Sequence, residues 1–424
     1  MSFLHSVRKR KKSRVLGEVR VVRRSEYDVM DLDSKVELIR ELIPLGLMHI
    51  QELLDAEVLA LAGPRGAHGD GAPGTRYGSN PGSVRMVGQR VRIRVPRVRG
   101  PKGELPLRSY TTLSGRGEVD PVLLRRVLHG ISCRNYETAA AAIPGAIGLS
   151  SSSVSRAFVE ASSARLREFQ ERDLSRDDIS TLFLDGKTFA ESTMVVALGV
   201  TFSGEKRFLG FVETDTENEI VLSPFLRSLI ERGLDVSRGL LVVIDGAKGL
   251  RAAVRKVLRN QAVVQRCAWH KRENVLRYLS KNEQAAWRRR LQRAYDRPTY
   301  AEARTALDAL HTELEQKNQS AAASLAEGME ETLTLHRLGV YGVLGRSLKT
   351  TNCLESVNAL IEERCAKVDS WKKSAHKHRW LATALLDIEP RLRKVKGFKH
   401  LPKLREAIQR DLKIVVEQSV KDVA

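Results

Sequence analysis

The chain has 424 residues, with 72 Lys+Arg against 51 Asp+Glu, a formal net charge of +21 and a sequence pI near 10.0. With 42% hydrophobic and 29% charged residues it can bury real cores and is not disordered throughout. The charge bears on partners rather than fold, and it puts nucleic acid first, ahead of ribosomal RNA and an anionic membrane surface.

No apolar run approaches the ~18 residues of a membrane span, and Met1–Arg14 is too basic for a secretory leader. A cytoplasmic, nucleoid-associated protein with no membrane contact is the expectation. Cys133, Cys267, Cys353 and Cys365 are scattered, without a disulfide framework. The length suggests two to four domains, at roughly 100–200 residues each.

Residues 1–25 read as a mobile basic arm, either a solvated tail or a DNA contact: Arg8, Lys9, Arg10, Lys11, Lys12, Arg14, Arg20, Arg23 and Arg24 face only the acid Glu18. In residues 26–62 the apolar spacing of Val36–Ala62, broken by Pro44, predicts two short helices. Residues 63–83, dense in Gly and Pro, read as a linker.

Residues 84–112 form an arginine ribbon. Val91, Ile93 and Val95 alternate with Arg90, Arg92 and Arg94, followed by Arg97 and Arg99, with no acid between Arg85 and Lys102. Period-two alternation places the arginines on one face of a strand, where guanidinium groups suit phosphate; an edge strand kept soluble by charge is the plainer alternative. Residues 113–176 read as a helix-turn-helix-like region. Its second helix starts at Ser150–Ser153, buries Val154, Ala157 and Phe158, and turns Ser152, Ser155 and Arg156 outward.

From Ser180 to Arg266 three strands with short connections precede alternating strands and helices, the pattern of a ribonuclease H-like mixed sheet, here residues 177–280. Two apolar runs close on Asp-Gly, Leu182–Gly186 and Leu241–Gly246, which places Asp185 and Asp245 at strand ends. Asp-Gly is also a common turn dipeptide. Two carboxylates on neighbouring buried strands are what a divalent cation would compensate. A third acid, Glu355, stands near the start of a helix capped at Thr350–Asn352 and striped by Leu354, Val357 and Ile361. Asn358 falls on a neighbouring part of that face, while Glu362 and Glu363 read as solvated charges.

Residues 281–345 read as an all-helical insertion, residues 346–366 as the core helix with the third carboxylate, and residues 367–424 as basic C-terminal helices that clamp DNA or a partner protomer. Trp287 with Arg288, Arg289 and Arg290 can be read as core beside a basic patch or as a base-stacking platform. Cys267-x-x-His270 is half of a metal motif whose spacing fits no standard zinc module, so no zinc is expected. Packing, and strand positioning by His270 and Trp269, stay open as its role.

These pieces together resemble the Mutator-like insertion-sequence transposases: LDG at Asp185, VVIDGAKGL at Asp245, QRCAWHKRENV from Gln265, KTTNCLESVNALIEER around Glu355, and upstream GQRVRIRVPRVRG and GISCRNYETA. The resemblance runs over roughly Arg85–Arg364. It implies a multidomain α+β protein: a ribonuclease H-like core with a helical insertion, preceded by helical and β-ribbon DNA-binding modules. It also implies a DDE triad of Asp185, Asp245 and Glu355 holding two Mg2+, with Mn2+ able to substitute.

The expected activity is metal-dependent cleavage and strand transfer at the terminal inverted repeats. The partners would be double-stranded DNA, both element ends and target, with the protein a dimer or higher oligomer. Cys267, Trp269, His270 and Asn358 are auxiliary. The alternatives are a non-enzymatic helix-turn-helix regulator and a ribonuclease H-like nuclease or resolvase that cuts without joining.

Overall fold

The computed structural model describes residues 3–7, 18–22, 32–66, 72–86, 89–114, 121–134, 150–189, 191–216, 218–366, 368, 370–371 and 373–414. They fall into two units, Met1–Val127 with Ile131–Phe158, and Leu128–Gly130 with Val159–Ala424. Among the described residues no helix is long and apolar enough to cross a membrane.

In the first unit β1 (Phe3–Val7) and β2 (Glu18–Val22) pair antiparallel, so part of the expected basic arm is a strand pair. Its residues 1, 2, 8–17 and 23–25 lie outside the described residues. Helix α1 (Leu32–Ala62) runs through Pro44 as one element, not two. Proline costs the helix one backbone bond. The helix is held further on, where Leu54, Val58 and Ala62 bury against Val95 and Val98 of the neighbouring sheet and Leu107 just beyond it.

That sheet is an antiparallel ribbon of β3 (Thr75–Met86), β4 (Gln89–Gly100) and β5 (Gly103–Leu105). Residues 75–83 of the expected linker are therefore part of strand β3. Its glycines serve close approach: a Cβ on Gly82 would strike the side chains of Val95 and Tyr110, and one on Gly74 that of Val98. Helices α2 (Arg108–Ser114) and α3 (Pro121–Leu128) follow. The division between the units falls within α4 (Ser151–Gln170).

The second unit is built on a five-stranded sheet of β6 (Ile179–Phe189), β7 (Ser192–Thr201), β8 (Lys206–Thr214), β9 (Leu240–Ile244) and β10 (Ala262–Arg266). The spatial order is β10-β9-β6-β7-β8; β6, β7 and β8 are antiparallel neighbours, and β6, β9 and β10 run parallel. The expected mixed sheet is what forms. Helices α5 (Glu219–Glu231) and α6 (Lys248–Leu258) cover one face, packing Leu222, Leu226, Leu250 and Val254 on Leu182, Leu184, Val242 and Ile244. Every residue of β9 is buried, the pattern of a parallel strand covered on both sides. Each such Leu, Ile or Val contributes about 1.5–3 kcal/mol of burial.

After α7 (Ala268–Leu276), the insertion forms α8 (Lys281–Tyr295), α9 (Tyr300–Lys317), α10 (Gln319–Ala326), α11 (Met329–Thr332) and α12 (Thr334–Arg337). It has its own core of Trp287, Leu291, Leu307, Leu314 and Leu325. Then come α13 (Tyr341–Leu348), α14 (Asn352–Cys365), α15 (Ser374–Ile388) and α16 (Leu401–Leu412). Helix α16 buries Leu401, Leu404, Ala407 and Ile408 and packs against β6, β9 and β10.

Candidate active site

Asp245 stands just beyond the end of β9, as expected, but Asp185 does not end a strand. It lies inside β6, opposite Val196 of β7, because the β6–β7 ladder continues to Phe189 while the parallel pairing with β9 stops at Leu184↔Ile244. That register sets the two aspartates at the same level of adjacent strands, whose spacing is about 4.8 Å. Leu184 points into the α5–α6 core, so Asp185, the next residue of β6, turns to the opposite face, while Asp245 directly follows Ile244 at the end of β9. Asp185 is 8% exposed, and the Asp245 Oδ1 accepts the Ala247 N–H at 2.9 Å.

The third acid arrives on α14, whose Leu354, Val357 and Ile361 are buried as expected. Lys187, two residues after Asp185 and on its face, donates to the Asn358 carbonyl oxygen at 3.2 Å and to Glu362 Oε1 at 2.5 Å. Glu362 is a solvent-exposed charge, as expected, that also pairs with Lys187, and Asn358 contributes its backbone. This tie lays α14 along the Asp185 face, with Glu355 one turn N-terminal to Asn358. Glu355 Oε1 is buried without a hydrogen-bond partner.

An all-oxygen carboxylate set is the donor chemistry of a hard divalent cation, and an orphaned buried carboxylate oxygen is a group such an ion would satisfy. Among the described residues, no three His, Cys, Asp or Glu side chains gather closely enough to hold a metal, so the carboxylates are not a ready-made cage.

Gly246 has φ +103, and a Cβ there would collide with the Arg266 guanidinium. The Asp-Gly pair at this strand end is therefore a packing requirement as well as a turn. Arg266 is 4% exposed and binds the Glu327 carbonyl oxygen at 3.1 Å and Oε2 at 3.3 Å. Lys271, fully buried, also donates to the Glu327 carbonyl oxygen, and burial pushes its pKa down to about 8. Arg266 thus couples the loop after Asp245 to the insertion, and Lys271 binds the same Glu327.

Thr351 precedes α14 but does not cap it with its side chain. Its hydroxyl meets Cys267 Sγ at 3.7 Å and His270 Nδ1 at 3.4 Å. Burial pushes the Cys267, Cys353 and Cys365 thiols up, the last two to about 12. Trp269 is 39% exposed and edge-on to His270. His378 Nε2 lies 2.8 Å from Glu213 Oε2.

The expected DNA contacts divide. Arg90, Arg92, Arg94 and Arg99 are exposed and Arg97 half-buried, while Val91, Val95 and Val98 are buried. The alternation slips after Pro96, where the register shifts between Arg76 and Ser79. This bulge keeps Arg97 and Arg99 outward. Both guanidinium groups stand over the ring of the half-exposed Tyr77, at 5.0 and 5.2 Å, and Arg97 also pairs with Glu104; the sequence offers no separate signal for Tyr77. Ser152, Ser155 and Arg156 are exposed on α4, with Val154 and Phe158 buried beneath, whereas residues 135–149 of the expected helix-turn-helix-like region lie outside the described residues.

The Trp287 platform is not available: Trp287 is 3% exposed, Arg290 stacks on it and pairs with Glu313, and Arg288 pairs with Glu273. Arg289 alone of that patch is exposed. In the C-terminal run Arg405 pairs with Asp178, Lys394 with Glu205 and Arg391 with Asp387. Arg393, Lys396, Lys399 and Lys403 stay exposed. Three of these seven cations are thus paired within the chain.

The sequence matches the profile described as "Transposase, Mutator family" over residues 18–393. It is 29% identical over 253 residues to the transposase for insertion sequence element IS256 in transposon Tn4001 of Staphylococcus aureus, with 56% of this chain and 63% of that protein covered. It therefore spans less than two thirds of that relative's length. It is 28% identical over 254 residues to the transposase for insertion sequence element IS6120 of Mycolicibacterium smegmatis, covering 58% and 76%. With the transposase for insertion sequence element IS406 of Burkholderia multivorans it shares 30% over 263 residues, covering 58% and 64%. The profile match takes in both described units and all three candidate acids, and the chain belongs to the Mutator family of transposases.

Proposed function

We propose that the chain is a DNA transposase of the DDE type, with a ribonuclease H-like core that carries out phosphodiester hydrolysis and strand transfer at the ends of an insertion sequence. The observation that carries this reading is the β6–β9 register, which sets Asp185 beside Asp245 on the face where Lys187 ties down the helix bearing Glu355. Three antiparallel strands followed by two parallel ones, with helices between, support the core assignment.

Asp185, Asp245 and Glu355 would hold two Mg2+, or Mn2+ in their place. Such ions activate the attacking oxygen and stabilise charge on the leaving one. The chain's own residues do the positioning. Lys187 fixes α14 against β6, the Ala247 N–H orients the Asp245 carboxylate, and the apolar sheet behind the acids excludes water. No enzyme nucleophile is needed, so one site serves both hydrolysis, with water attacking, and joining, with a DNA 3′-hydroxyl attacking.

The outward arginines of β4 and the exposed face of α4, with Ser152, Ser155 and Arg156, would bind duplex DNA at the inverted repeats and the target. Tyr77, gripped by Arg97 and Arg99, joins that surface. Two ends must be held for one event, so the working form is a dimer or higher oligomer.

The test is to incubate the protein with labelled end DNA and Mg2+ or Mn2+, beside Asp185→Asn and Asp245→Asn. Retained binding with lost cleavage and joining is expected. Variants that cut like the parent would sink the triad; a parent that binds and never cuts is a regulator, and one that cuts and never joins is a nuclease.

A further inference from the structure

Cys267 and Thr351 are both fully buried, and between them they connect the second aspartate to the third acid. The Cys267 N–H donates to the Ile244 carbonyl oxygen at 2.7 Å, at the residue immediately before Asp245. Its Sγ accepts the Thr351 N–H at 3.5 Å and the Thr351 hydroxyl at 3.7 Å. One residue on, the Ala268 N–H donates to the Lys349 carbonyl oxygen at 3.0 Å. The Thr351 carbonyl oxygen in turn accepts the N–H groups of Leu354 at 2.8 Å and Glu355 at 3.2 Å. His270 Nδ1 meets the Thr351 hydroxyl from the first turn of α7.

A short path of hydrogen bonds thus runs from Ile244 through Cys267 and Thr351 to the backbone of Glu355. Lys187 makes the corresponding tie from Asp185, so each aspartate has its own connection to α14. Sulfur suits this place because it is a weak, soft acceptor that reaches 3.5–3.7 Å from a dry interior where a water or hydroxyl would need more partners.

We propose that Cys267 and Thr351 are a positioning pair that sets the separation of Glu355 from Asp245, with His270 orienting the threonine hydroxyl, and that this is what the Cys-x-x-His segment does in this chain. The inference rests on the triad reading.

The test compares Cys267→Ala, Cys267→Ser, Thr351→Val, Thr351→Ser and the double variant Cys267→Ala/Thr351→Val, using Mn2+ as probe. Melting temperature and end-DNA affinity are measured beside Mn2+ binding by electron paramagnetic resonance and the metal dependence of cleavage. Outer-sphere partners of metal ligands are typically worth ~10–100-fold, so Cys267→Ala and Thr351→Val are each expected to weaken Mn2+ binding about 10-fold and slow cleavage at least as much, with DNA affinity within about 2-fold of the parent. Because the two act through one connection, the double variant should match the single ones instead of multiplying their effects. Thr351→Ser, which keeps the hydroxyl, should restore most of the loss.

Unchanged Mn2+ affinity in Cys267→Ala, or multiplicative effects in the double variant, would overturn the pairing. Should Cys267→Ala fail to fold, Cys267→Ser and Thr351→Val decide by the same Mn2+ readout. Failure of the triad reading shows separately, as Asp185→Asn that still cuts.

Discussion

Gly246→Ala is the sharpest probe of how the site is built. At φ +103 an alanine carries backbone strain of about 1–3 kcal/mol. Its methyl group would also meet the Arg266 guanidinium, which cannot swing away cheaply because it is 4% exposed and held by the Glu327 carbonyl and carboxylate. Displacing it leaves a buried cation short of partners, which adds about 2 kcal/mol or more. The sum is roughly 4 kcal/mol, and at about 2 °C per kcal/mol for a unit of this size the melting temperature should fall by roughly 8 °C. Cleavage should fall further than stability explains, since Asp245 precedes the displaced glycine.

The mechanism is checked by repeating the substitution in an Arg266→Ala background. With the guanidinium gone only the backbone strain remains, so Gly246→Ala should then cost about 2 kcal/mol, a coupling of about 2 kcal/mol between the two positions. Differential scanning calorimetry of the four proteins reads this directly. Additive losses, or a single-variant loss below about 1 kcal/mol, would refute the packing argument.

Hydrogen bonds from Ser192, Lys377 and Ser374 outweigh the opposing effect of burial and hold Glu213 at about 2, against an ordinary value of 4.5. A depressed carboxylate stabilises above its unfolded value, so this contribution, about 3 kcal/mol at 1.36 kcal/mol per pH unit, is present above pH 4.5 and lost as pH falls towards 2. Glu213→Gln should melt well below the parent at pH 7, with the gap closing between those values; a gap independent of pH contradicts the assignment. Val357→Ala, at a fully buried position of α14, should cost about 2–3 kcal/mol by calorimetry and reduce cleavage without changing end binding. Arg92→Ala with Arg94→Ala should weaken binding alike for specific and unrelated DNA and flatten the log-log salt dependence by about 0.9 for each phosphate no longer neutralised. An unchanged slope would mean that the ribbon does not touch phosphate.

Much of the candidate site was legible in the sequence because its signals are periodic and local. Apolar runs closing on Asp-Gly located Asp185 and Asp245, and a Leu354–Val357–Ile361 stripe located the helix of Glu355. Alternation over Val91–Val95 turned Arg90, Arg92 and Arg94 outward. The +21 charge pointed to an anionic partner but treated all arginines and lysines alike.

Tertiary structure decided the rest, since each remaining feature depends on residues far apart in the chain. Asp185 proved to be inside its strand because ladder length is set by the partner strand, not by the turn dipeptide. Arg288, Arg290 and Arg405 left the pool of DNA contacts because Glu273, Glu313 and Asp178 fold back to meet them. Thr351 turned from the helix end it precedes to Cys267, 84 residues earlier. A sequence shows which side chains can bond, but burial and register determine which of them do.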